Sequence, residues 1–191
     1  MSFFDWIRGK APKTESLSSE PHADLDWKAL EDALTSAIVS QIARFAATHP
    51  DEQFYGFALD CNAYYANVLF CLNTPISLEK SARRYAESDD PKKIAHEKKI
   101  LEWGLGDWAY QGFNIDTPNW SSDVPMLESF AEIPGNEEEF LVTCCKALIR
   151  AEKLGAFSVL KTTPDFRSAC IDHDEDASTG EKRLDRVRAS L

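Results

Sequence analysis

The chain has 191 residues and is 43% hydrophobic, which supplies one core of ordinary domain size and makes two full domains unlikely. Its formal net charge of -11 argues against binding a phosphate backbone, because such affinity rests on Lys and Arg displacing counterions. No apolar run approaches the length of about 18 residues needed for a membrane-spanning helix.

The opening residues, MSFFDWIRGKAPK, set Phe3, Phe4, Trp6 and Ile7 beside Arg8, Lys10 and Lys13. Such an arm suits packing on its own domain or docking on a partner or membrane surface, and it is too short for a signal peptide. Residues 11–23 are polar, Ser-rich and bounded by Pro12 and Pro21, the composition of a flexible linker. The chain therefore divides into an arm and linker over 1–23, a single domain over 24–176 and a charged tail over 177–191.

From Trp27 the apolar residues Leu30, Leu34, Ile38, Ile42 and Phe45 recur at helical spacing, with Asp24 or Asp26 to cap the first turn and His49-Pro50 to end it. QFYGFALD and YYANVLFCLN, around a short polar break, read as a β-hairpin whose strands are covered on both faces. Thr74-Pro75 starts a helix with Leu78, Ala82 and Tyr85 inside. PKKIAHEKKILEW fits a helix that yields to a short strand at Trp103. In GLGDWAYQGF, Asp107 is placed to cap one helical turn holding Trp108, Ala109 and Tyr110, a packing corner between glycines.

SSDVPMLESFAEI then reads as a helix capped by Ser121 or Ser122. EEEFLVTCCKALIRAEKLG follows as a second one, with Glu137, Glu138 and Glu139 at the positive end of its dipole and Gly155 closing it. FRSACIDHD after Pro164 alternates as a final strand, and the remaining tail reads as a surface helix that frays. The expected fold is α+β: a small, mostly antiparallel sheet of about 4 strands packed with about 5 helices.

Five cysteines, Cys61, Cys71, Cys144, Cys145 and Cys170, are odd in number, sit in apolar surroundings and follow no export signal. Reduced, buried thiols in a cytoplasmic protein are the expectation. Cys144 and Cys145 are adjacent on a helix and diverge, so the spacing of a structural zinc site is missing. No phosphate-binding loop, dinucleotide fingerprint, nucleophile elbow or zincin motif occurs, and neither a cofactor nor a metal is expected. The sharpest candidate is IDHDEDASTGE, where Asp172, His173, Asp174, Glu175 and Asp176 gather at a strand end. Its charge suits a basic protein partner; the alternative is general acid and base chemistry around His173. Tyr110 and Trp120 are candidate aromatic anchors for the same partner.

The order of a leading helix, FYGFALD, a second strand closing on LNT before a helix, and EW followed closely by DWAYQG resembles a bacterial family, domain of unknown function 4303. The resemblance covers Trp27 to Asp174, and its most specific piece is DWAY with the upstream Trp103. It implies an α+β domain without an established activity, some of whose members lie in toxin and immunity gene neighbourhoods. The expectation is thus a non-catalytic protein-binding domain of the immunity type that neutralises a cognate toxin. The rivals are an enzyme with a site near His173 and an adaptor docking through its N-terminal arm.

Overall fold

A computed structural model of the protein describes residues 25–115 and 123–191. The arm and linker, Trp120 and the capping serines Ser121 and Ser122 lie outside these residues. Among the described residues, five α-helices pack around a three-stranded sheet: α1 (Trp27–Thr48), β1 (Gln53–Asn62), β2 (Asn67–Asn73), α2 (Pro75–Ala86), α3 (Pro91–Leu101), α4 (Glu137–Lys153), β3 (Lys161–Asp172) and α5 (Ala177–Ser190). Strand order is β2-β1-β3; β1 pairs antiparallel with β2 and parallel with β3. The α+β class holds, while the sheet is mixed and has three strands where about four, mostly antiparallel, were expected. The parallel pair arises because the long path through α2, α3 and α4 returns the chain to the start of β1 rather than to its end.

Local chemistry sets most boundaries. The Asp26 carboxylate accepts the Ala29 N–H at 2.8 Å to cap α1, and Thr74 does the same for Ser77 at 3.1 Å ahead of Pro75. The helix expected around PMLESF has, in its described part, a 3-10 turn at Leu127–Phe130. β3 begins earlier than expected, at Lys161. Its register with β1 steps from Phe54↔Thr162 to Gly56↔Arg167, so residues 163–166 bulge outward, which is where Pro164 is tolerated without a ladder bond.

The sheet's two faces differ in depth. Phe57, Leu59, Cys61, Phe70 and Cys170 face α1 and α4, whose stripes of Leu30, Leu34, Ile38, Ile42 and Phe140, Cys144, Leu148 complete the main core. The other face carries the small residues Ala58, Cys71 and Ala169 with Ile171, and Trp108 lies over them beside Trp103. Gly56 belongs to this shallow face, where an added Cβ would stand 3.1 Å from the Trp108 ring. The Trp108 indole donates to the Glu102 carbonyl at 3.1 Å, so the packing corner expected for GLGDWAYQGF is present.

Its geometry, however, is not a helical turn at DWAY. A 3-10 turn at Leu105–Asp107 precedes Trp108, and the chain then runs extended so that Tyr110 and Leu72 exchange main-chain hydrogen bonds at 2.9 and 3.1 Å. α3 ends at Leu101 without a following strand, and Tyr85 is exposed instead of inside, its hydroxyl on the Asp107 carboxylate. The C-terminal tail is a packed helix, with Arg183, Leu184 and Val187 buried.

Candidate functional site

The acidic run lies in the turn that joins β3 to α5, and its members have different duties. Asp172 accepts the N–H groups of Ala63 and His173, both at 3.1 Å, tying the end of β3 to the β1–β2 turn. Glu175 meets the Arg183 guanidinium with two bonds of 2.6 Å and also takes the Asp172 N–H at 2.9 Å. Arg183 is 7% exposed in its side chain; the Glu175 carboxylate beside it, helped by Glu138, raises its already high pKa despite burial. Asp176 caps α5 through the Ser178 hydroxyl and the Thr179 N–H, which hold its carboxyl below the usual carboxylate range.

His173 and Asp174 face solvent, as does Asp176 at the start of α5. His173 Nδ1 stands 3.6 Å from Oδ1 of Asp60 on the central strand. Burial raises the Asp60 pKa, with His173 acting against the rise. The turn therefore presents two exposed carboxylates, Asp174 and Asp176, and one imidazole, while Asp172, Glu175 and Asp176 hold the β3–α5 junction together.

Next to this turn lies a groove of about 710 Å³ between α5 and the outer edge of β3. One wall is Phe157, Phe166, Ser168 and Leu184; the other is Trp103, Arg167, Ala169, Ile171 and Ala177. Successive β3 residues thus line opposite walls, as the pleat requires, and the groove straddles the strand's edge. Four carboxylates, Glu102, Glu152, Glu181 and Asp185, rim it against two guanidiniums, Arg167 and Arg188. Arg167 reaches Glu102 at 2.9 Å and Glu181 at 4.0 Å, with its guanidinium 5.2 Å from the centre of the Trp103 ring. Arg188 reaches Glu152 at 3.1 Å and Asp185 at 3.2 Å. The rim keeps a negative excess.

The structure does not bring Tyr110 to this site. Leu72, Phe57 and Ser168 lie across from one another in the sheet, so Tyr110, bonded to Leu72, occupies the β2 edge opposite to the groove. Its ring packs against Phe45 and His49 and its hydroxyl donates to Glu52 at 2.5 Å; burial, then Glu52, pushes its pKa up to about 12. Of the groove residues, the aromatic Trp103 was open to a groove-lining role from sequence, with packing favoured, whereas Glu152, Arg167, Ser168, Glu181 and Arg188 were missed. A hint lay in FRSACID, where consecutive polar residues Arg167 and Ser168 put a polar group on each face of the strand, a pattern of an edge.

All five cysteines are buried and free, and burial raises the pKa of Cys71 to about 12. Among the described residues, no group of three or more His, Cys, Asp or Glu is placed to hold a metal ion. No described helix is long and apolar enough to cross a membrane.

A family model described as Domain of unknown function (DUF4303) matches residues 34–186. That span takes in the sheet, the acidic turn, most of α5 and every groove-lining residue except Arg188. Among curated proteins and among solved structures, nothing matches the chain.

Proposed function

The chain belongs to the DUF4303 family, and from its own surface we propose that it is a non-catalytic protein-binding domain of the immunity type, which neutralises a cognate toxin by covering a basic surface of it. The observation that carries this reading is the acid-rimmed groove between β3 and α5, the two elements joined by the turn that exposes His173 and Asp174. Apolar walls supply area to bury, and the negative excess at the rim steers a basic partner into place. The overall charge of -11 extends the same field over the whole molecule. Asp172, Glu175 and Asp176 contribute by shaping the turn, and Asp174 by facing the partner.

The test starts by retrieving the partner from the native host at low salt and identifying it by mass spectrometry. Binding of the purified pair is then measured for the native chain and for the variant Asp174→Lys/Glu181→Lys/Asp185→Lys, with thermal unfolding as the check on fold. A basic partner whose association slows by at least about tenfold in the variant, with salt sensitivity reduced, fits the reading. An unchanged association rate and affinity would remove the groove and acidic turn from the binding face. The co-expressed chain is expected to protect cells from the partner's toxicity, and failure to protect would reject the immunity assignment.

A further inference from the structure

The main chain of β3 makes the groove more specific than an apolar cleft. In the parallel pairing with β1, the N–H of His173 bonds to the Cys61 carbonyl at 2.6 Å, so the odd-numbered residues Ala169 and Ile171 also point their N–H and C=O groups at β1. The even-numbered residues Ser168, Cys170 and Asp172 point theirs outward, away from the sheet. At the top of the strand these outward groups are covered: Asp172 N–H by Glu175, and the Cys170 carbonyl by Gly180, whose missing side chain allows α5 to lie directly against it. Below that point α5 diverges and the groove opens. Ser168 stands there with its outward N–H and C=O facing the cavity, flanked by side-chain walls on both sides of the strand.

We infer that the groove takes an extended segment of a basic protein partner by strand addition: the segment hydrogen-bonds to the main chain of Ser168 and becomes a fourth strand next to β3. Its side chains fall alternately toward Phe157, Phe166 and Leu184 on one wall and toward Trp103 and Ala169 on the other. The partner's chemistry follows from the rim. Glu102, Glu152, Glu181 and Asp185 outnumber Arg167 and Arg188, so small apolar residues inside and lysine or arginine at both ends of the segment complement the site. The covered top of β3 sets the length, because α5 stops the added strand at Cys170. This inference rests on the groove being the docking face.

The probe is a fluorescent peptide of about eight residues, with valine and threonine alternating between terminal lysines, titrated with the full chain and followed by anisotropy. Three altered peptides accompany it: one with glutamates at the ends, and two with alternate main-chain amides N-methylated, one in each register. Two protein variants complete the set. Ser168→Pro removes the outward N–H while sparing the β1 ladder, and Ser168→Ala keeps that N–H and removes only the hydroxyl.

Expected are saturable binding of the lysine peptide, a loss of about tenfold or more for the glutamate peptide, and a similar loss for one of the two N-methylated registers. Ser168→Pro is expected to match that loss and Ser168→Ala to bind as the native chain does. Binding indifferent to N-methylation overturns strand addition, and so does the absence of binding by every peptide. If Ser168→Pro fails to fold, the N-methylated peptides decide the matter on the native protein. A chain that fails here but loses its natural partner through Asp174→Lys/Glu181→Lys/Asp185→Lys still has its docking face and has lost only the strand-addition account.

Discussion

The two edges of the sheet solve the same problem in opposite ways. On the β2 side, five of the six outward main-chain groups of Val68, Phe70 and Leu72 are taken: Tyr110 pairs with Leu72 through two bonds, the Phe113 N–H bonds to the Phe70 carbonyl at 3.2 Å, and the buried Asn114 amide bridges the Phe70 N–H at 2.6 Å and the Val68 carbonyl at 2.9 Å. A loop with one bridge and one side-chain amide acts as a substitute strand. On the β3 side only the top is covered, by α5, and the middle is left as a groove. An unprotected edge invites pairing with other chains, so a protein that closes one so completely and leaves the other lined and charged separates self-protection from recognition.

The largest effect is expected where α5 is locked over the closed part of β3. Arg183→Met strands the Glu175 carboxylate, 14% exposed, next to the end of β3, and should cost about 3 kcal/mol or more in urea unfolding. Adding Glu175→Met to that variant should restore much of the loss, because a buried pair replaced as a whole is far cheaper than one broken in half. Asn114→Ala attacks the other edge. Two buried main-chain groups lose their partner, for a cost of about 3 kcal/mol, and a shift toward dimers or larger species in size-exclusion chromatography would show the exposed edge pairing with itself.

Gly180→Ala sharpens the contrast within β3. Its Cβ would fall 2.5 Å from the Cys170 carbonyl oxygen and 3.2 Å from the Ile171 Cα, so α5 must move away. A loss of about 1–3 kcal/mol is expected, together with faster amide exchange at the top of the strand. The smallest effect belongs to Asp60, between the two edges. Its pKa is raised in the folded protein, so stability falls as pH rises through the window between the unfolded and folded values and the penalty is complete above it. Asp60→Asn should therefore raise stability at neutral pH by less than about 1 kcal/mol, since the group is half-buried, and be seen as a slight rise in melting temperature. The gain should vanish below the unfolded carboxyl value of about 3.9.

Helical periodicity exposed α1 and α4 in the sequence because a single buried stripe is a local pattern, and the β1–β2 hairpin was visible for the same reason. The DWAYQGF segment was legible as a corner but not as an edge closure, since its extended shape depends on Leu72 and Phe70, far away in the chain. Glu175 lies in the turn before α5 and Arg183 inside that helix, so their pairing depends on how the turn folds back on the helix, and the duty of the acidic run inside the fold was hidden. The groove was hidden as well: it exists because α5 leaves β3 at Gly180, and a glycine in a charged helical stretch carries no signal of what lies beneath it.

Between the sheet and α4, the thiols of Cys61 and Cys170 stand 3.8 Å apart, with Cys144 and Cys145 buried beside them. The pKa of Cys61 is raised well above that of a free thiol by its hydrogen bond with Cys144 and by burial, that of Cys144 by burial first, and that of Cys170 rises against its bond with Cys144 through Cys145, Cys61 and burial. The molecule consequently carries its own clock. An alkylating reagent has to wait until β3 swings away from the core, so the rate at which these sulfurs are labelled counts openings of that strand, and a ligand seated on its edge would be seen slowing the count.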